Sequence, residues 1–271
     1  MSTTDKVRRE AGDSDALDRG IRIGLLSYGV THLVIAATAL PLAWGGSSEG
    51  QASQTGAFAQ MAQQPFGDVL LWVIALGFVC MTIWQALEAA AGHRDEEGGK
   101  RAFKRAGSAA RAVVYAVLAW SAGNTAVGSG GSSSSSSSDG ITARLMSAPG
   151  GTFLVGLVGA VIVAVGGYMV YKGWSEGFTK RLDEQRVRSS RFPVVLLGKV
   201  GYIAKGVTFG IVGALFLTAA VQHQPKESGG LDVALHELLR QPMGPVLLTL
   251  VALGLACFGV YCFFWARYLR R

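Results

Sequence analysis

A titratable side chain inside a long apolar stretch is costly to keep there, so such residues are the first candidates for chemistry. His32 is the deepest of them in this chain. It follows Arg22 by ten residues, about 15 Å along a helix, which puts an imidazole near the middle of an apolar run. There it suits proton relay or ligand binding, or, more simply, a hydrogen bond to a neighbouring helix. Arg111 and Lys205 also lie within apolar runs, and two cations facing a common axis would suit an anionic ligand or a lipid headgroup. The plainer alternative is that both snorkel to the nearer interface. Glu88 and Lys172 carry opposite charges near the ends of their runs and are candidates for an ion pair. Glu176 and Lys180 have the i, i+4 spacing of a pair on a helical extension. Cys80, Cys257 and Cys262 read as packed small apolar groups.

Other chemistries find no residues to carry them. The sequence has no phosphate-binding loop, nucleophile elbow, kinase motif set or paired-carboxylate site. Neither His223 nor His236 has a partner at metal-ligand spacing, and three cysteines are too few for a disulfide framework. The expectation is therefore no enzyme, no cofactor and no metal.

The elements that position these residues come from internal repetition, with three copies of one two-helix unit. Three loops end alike, at Gln64-Pro65-Phe66-Gly67, Ala148-Pro149-Gly150-Gly151 and Gln241-Pro242-Met243-Gly244. Upstream of them, Ser27 to His32 aligns with Ala110 to Tyr115 and with Ala204 to Phe209. Downstream, Trp84, Tyr168 and Tyr261 coincide, as do Cys80, Ala164 and Cys257. The alignment sorts the candidates into symmetry-related trios. His32, Tyr115 and Phe209 form one layer, and Tyr28, Arg111 and Lys205 another, one turn closer to the inner side. Glu88, Lys172 and Trp265 form a third, within which Glu88 and Lys172 could join two repeats. Each loop also carries a short apolar-polar run, Thr55 to Gln63, Asp139 to Ser147 and Asp232 to Arg240, expected as a surface helix with Asp232 as N-cap in the last. Seven serines from Ser132 mark the second loop as a flexible external segment.

Charged residues make up 16% of the 271, against 50% hydrophobic, and mean hydropathy is +0.34; a soluble domain carries about a quarter charged. Six stretches approach the roughly 20 residues needed to cross a bilayer: 23–44, 66–91, 109–127, 152–174, 194–221 and 245–268. Of the 25 lysines and arginines only Arg144, Lys226 and Arg240 fall on one side of these spans, so both termini are expected in the cytoplasm. The net charge of +7 then serves topology and anionic headgroups, with no nucleic-acid partner expected. Trp44 and Trp72 should mark the outer interface and Trp174 and Trp265 the inner one. Glycines such as Gly24, Gly29, Gly206, Gly210, Gly254 and Gly259 suit close helix packing.

The expected architecture is an all-α integral membrane protein of six transmembrane helices. They form three parallel two-helix repeats with pseudo-threefold symmetry about the membrane normal and a short surface helix in each outer loop. The segments are a polar tail at 1–21, then repeats at 22–94, 95–182 and 183–271. The Gly/Ala-Val-Val/Thr element after Tyr28, Arg111 or Lys205, the Pro-x-Gly corner and the closing Trp265-Ala266-Arg267-Tyr268 resemble the bacterial domain of unknown function 1206 family over about Arg22 to Arg271. That resemblance implies three tandem two-span units, mainly in actinobacteria, in the bacterial inner membrane, and implies no substrate. Function is expected to be non-enzymatic, as an interaction, scaffold or lipid-binding protein, with membrane lipids and other membrane proteins as partners. The alternative is a transporter or channel for a small anionic solute along the axis.

Overall fold

A computed structural model describes residues 15–45, 53–92, 98–128, 151–179, 182, 191–222 and 231–269. These residues form eight helices: α1 (Asp15–Ala43), α2 (Gln54–Ala62), α3 (Gly67–Ala91), α4 (Gly98–Ala126), α5 (Gly151–Trp174), α6 (Arg191–Gln222), α7 (Leu231–Arg240) and α8 (Gly244–Arg267). A lone antiparallel bridge joins Leu182 to Leu269, and no strand forms among the described residues. The short helix expected at Asp139 to Ser147, the serine run, Pro149, Lys180 and His223 lie outside the described residues.

Five helices are long and apolar enough to cross a membrane: Arg19–Ala43 within α1, α3, α5, Phe192–Gln222 within α6, and α8. The exception is α4. Its first half carries Lys100, Arg101, Lys104, Arg105 and Arg111, which leaves it less apolar than the other five. On the long helices the sidedness is that of a protein in lipid. Helix α5 exposes Phe153, Leu157, Val161, Tyr168 and Tyr171 and buries Gly159, Gly166 and Gly173. In water the large apolar residues would face inward; in lipid they have nothing to hide from, and small residues line the contacts. The chain is thus a multi-pass membrane protein by its helices.

The described residues divide into two compact units, 1–28 with 61–130 and 29–60 with 131–271. Helix α1 gives its first half to one and its second half to the other. In the first unit α3 packs on α4 and on the start of α1. A Cβ on Gly24 would lie 2.6 Å from the Gly77 carbonyl, and one on Gly77 would lie 2.9 Å from Ser27 Oγ. The second unit repeats this register 177 residues on. A Cβ on Gly201, the counterpart of Gly24, would lie 2.6 Å from Phe258 Cα, and one on Gly254, the counterpart of Gly77, would meet Ala204, the counterpart of Ser27.

Three of the close helix contacts are reciprocal. Helices α5 and α6 run antiparallel with Gly159 against Gly213 and Gly166 against Gly206; each Cβ would sit 2.6 to 3.0 Å from the partner's carbonyl oxygen. The spacing is seven residues on both helices, the period of a left-handed pair. Gly29 of α1 and Gly259 of α8 make the same reciprocal contact, at 2.8 and 2.9 Å. These are repeat-equivalent positions: the second long helix of one repeat meets the first of another through glycine pairs in both places.

The Gln-Pro-x-Gly corners also fold alike. Gly67 N–H donates to the Gln64 carbonyl and Gly244 N–H to the Gln241 carbonyl, both at 2.8 Å. Phe66 (φ 65°) and Met243 (φ 63°) take the left-handed conformation. Proline at the second turn position and positive φ at the third describe a type II turn. In the loop helices, Ser53 caps α2 by accepting from Gly56 N–H at 3.0 Å. Asp232 lies within the first turn of α7 instead of capping it. The face of α7 that packs on α6 and α8 carries Ala234 and Leu235, both fully buried. Trp44, Trp72 and Trp174 are exposed as an aromatic belt requires, but Trp265 is only 5% exposed. It packs beside Tyr261 with ring centroids 6.1 Å apart, so it belongs to the core and not to the belt.

Gly206→Ala and Gly166→Ala should each destabilise the folded protein by about 1–3 kcal/mol, read as a lower unfolding midpoint in a detergent titration. Gly210→Ala, whose Cβ would meet nothing within 4 Å, should be neutral or stabilising.

Candidate functional site

The glycine contacts fix the surroundings of two basic residues. Gly29 lies three residues before His32 on α1, and Gly201 and Gly206 bracket Lys205 on α6. With backbones held this close, the side chains between them have one place to go. His32 Nε2 and Lys205 Nζ meet at 3.0 Å, and both residues are 3% exposed. Phe258 of α8 completes the site. Its ring centroid lies 4.2 Å from Lys205 Nζ and 4.9 Å from the imidazole, so the cation rests on the negative face of the ring. Among the described residues Lys205 is the one buried lysine or arginine, and no aspartate or glutamate is buried.

A nitrogen–nitrogen hydrogen bond needs one donor and one acceptor. Either an ammonium donates to neutral Nε2, or the imidazole donates to a neutral amine. The bond therefore holds with a net charge of +1 or 0, and never with both groups cationic.

Aromatic rings continue the site towards the N-terminal end of α6 and the C-terminal end of α8. Tyr202 meets Phe258 at 5.3 Å and Tyr261 at 5.8 Å. Phe178, fully buried, stacks on Tyr202 at 5.3 Å. Lys172 Nζ donates to Tyr202 Oη at 3.3 Å. In the first unit Tyr28, Phe78 and Tyr115 form a separate aromatic cluster with centroids 5.9 to 6.2 Å apart.

Within each unit, contacts join residues of different layers. Contacts cross the layers by one turn: Tyr28 meets Tyr115, and Lys205 meets His32. Lys205 does not snorkel, because His32 and Phe258 take its ammonium inside the protein. Arg111 does turn back towards its helix start, donating to the Gly107 carbonyl at 3.0 Å and Ser108 Oγ at 3.1 Å. Phe209 is half-buried, with Gly166 packed against its backbone. Glu88 belongs to the first unit, where its carbonyl accepts from Gly92 N–H at 3.0 Å and ends α3; the described partner of Lys172 is Tyr202. The helical extension expected for Glu176 does not form. The helix stops at Trp174, Glu176 has φ 55°, and its carboxylate lies 4.0 Å from Lys199.

Sequence reasoning missed Tyr202, Phe258 and Phe178. Two signals were available: Tyr202 lies one turn before Lys205, and Phe258, Tyr261 and Trp265 recur at i, i+3 and i+7 on one face of α8. Among the described residues no three His, Cys, Asp or Glu side chains converge on a metal position.

The family model for Domain of Unknown Function (DUF1206) matches three successive segments, residues 23–92, 106–176 and 200–269. The chain belongs to this family. Each matched segment holds two long helices, α1 and α3, α4 and α5, or α6 and α8, so the DUF1206 unit is the two-helix repeat. The chain is also similar to "Uncharacterized protein YxxB" of Bacillus subtilis (strain 168), 28% identical over 244 residues, covering 89% of this chain and 86% of that protein. No solved structure matches the chain. In DUF1206 repeats, the His32–Lys205 pair joins the first copy to the third.

Removing one partner takes a buried hydrogen bond from the other, so His32→Phe and Lys205→Met should each cost about 1–3 kcal/mol. The double variant should cost less than the sum. A double-mutant cycle on unfolding midpoints should return a coupling of at least ~0.5 kcal/mol.

Proposed function

We propose that this chain is a non-enzymatic membrane protein that acts through contact with lipids and other membrane proteins. Its helices are read as six spans, with α4 as the third, in three parallel repeats arranged with pseudo-threefold symmetry about the membrane normal. It sits in the bacterial inner membrane with both termini in the cytoplasm. The observation that carries the reading is the filling of the polar positions by protein. His32 is occupied by Lys205 and Phe258, and Tyr115 by Tyr28 and Phe78, where a solute path would need room for water. The basic bias of the inner loops supports the orientation, and the outward apolar faces of α3 and α5 offer lipid contact.

One observation favours a second reading, passage of a small anion: an amine buried within a span is rare unless it has a use. Two measurements test these readings. Reporters fused to each terminus should both report a cytoplasmic location; opposite sides would mean that α4 does not cross and the span count is five. Protein purified in native-lipid discs should carry defined lipids by mass spectrometry and, in liposomes, give no anion flux above protein-free controls. A flux lost in Lys205→Met would replace the first reading with the second.

A further inference from the structure

We propose that His32 and Lys205 form a proton-binding site in the membrane interior, holding one exchangeable proton between two spans, and that a second proton undocks α1 from α6 and α8. The geometry carries the first part. Two basic nitrogens 3.0 Å apart share one proton along their common axis; it can rest on Nζ or on Nε2 with the bond intact. Release to water leaves the pair neutral and still bonded. Capture of one more proton from water turns both nitrogens into donors, and the bond between them has no acceptor.

The second part follows from packing. Within about a turn of the pair, Gly29 meets Gly259, Gly201 meets Phe258 and Gly206 meets Gly166, all with backbone in near contact. Such a clamp leaves the two cations no slack on rigid helices, so their separation must move α1 relative to α6 and α8. Titratable groups described on the elements packed against the pair are these. From α8 come the buried Cys262 thiol, whose Cβ lies 3.1 Å from the Cβ position of Gly29, and Tyr261. From α6 comes Tyr202, with Lys172 of α5 on its hydroxyl. On α7, which also packs on α6 and α8, His236 and Arg240 are exposed and Glu237 pairs with Arg240. The described surroundings thus bring the pair no buried carboxylate to offset a second charge.

The test uses the full chain in native-lipid discs with His93→Gln, His223→Gln and His236→Gln, which leaves His32 as the sole histidine. Nitrogen-15 spectra of the labelled imidazole are recorded from about pH 8 to about pH 5, the range in which histidine ordinarily titrates. The expected result is an Nε2 signal in hydrogen-bond exchange at the upper end, converting to a doubly protonated ring as pH falls. The melting temperature should drop by about 5 °C or more over the same range, and Lys205→Met should abolish that drop. An imidazole that never changes protonation, or a drop that persists in full in Lys205→Met, would overturn the proposal. The spectra need only the native pair, so the proposal remains testable if Lys205→Met fails to fold.

Discussion

Two helices in lipid gain little by covering leucines, because the surrounding tails are as apolar as the side chains themselves. What holds them is short-range contact, and in this chain three of the close helix contacts set a glycine against a glycine carbonyl in both directions. Everything else in the second unit hangs on those seams. Gly166 against Gly206 sets the distance from α5 to α6, Gly29 against Gly259 that from α1 to α8, and Gly201 against Phe258 that from α6 to α8. The His32–Lys205 bond at 3.0 Å exists because the three spans that surround it have been brought in by residues without side chains.

The same logic explains where the large side chains went. With glycines along the seams, many large apolar side chains, such as Phe153, Leu157, Val161 and Trp174, lie on the outward faces. The rings of Phe178, Tyr202, Phe258, Tyr261 and Trp265 pack together towards the C-terminal end of α8. The aromatic cluster then gives Lys205 a polarisable surface to rest on, a role that an aliphatic core could not fill.

Much of this was legible in the residues alone. The long helices, the Gln-Pro-x-Gly corners, the loop helices before Pro65 and Pro242, and the three tandem repeats all have local signatures. Their causes act within a few residues or recur at fixed offsets. The pairing inside the spans was not legible. Aligning Lys205 with Tyr28 and His32 with Tyr115 follows the repeats but does not give the partners, since Tyr28 with Tyr115 and His32 with Lys205 join positions one turn apart in the repeat. Trp265 was misplaced for a related reason: with apolar residues on every side of α8, the sequence does not say which face turns inward. Glu176 was read as helical because a turn with positive φ at a glutamate leaves no compositional mark.

The four-residue slip between contacting layers has a consequence for how such a chain can vary. Were the three repeats identical, each contact would join two different positions of the same unit, and a change at either would be copied into all three junctions at once. Joined in one polypeptide, the copies are released from that constraint. One junction has become tyrosine on tyrosine, at Tyr28 and Tyr115, and another histidine on lysine, at His32 and Lys205. A duplicated scaffold can in this way keep one junction inert and hand another a polar pair without altering the backbone register that both share.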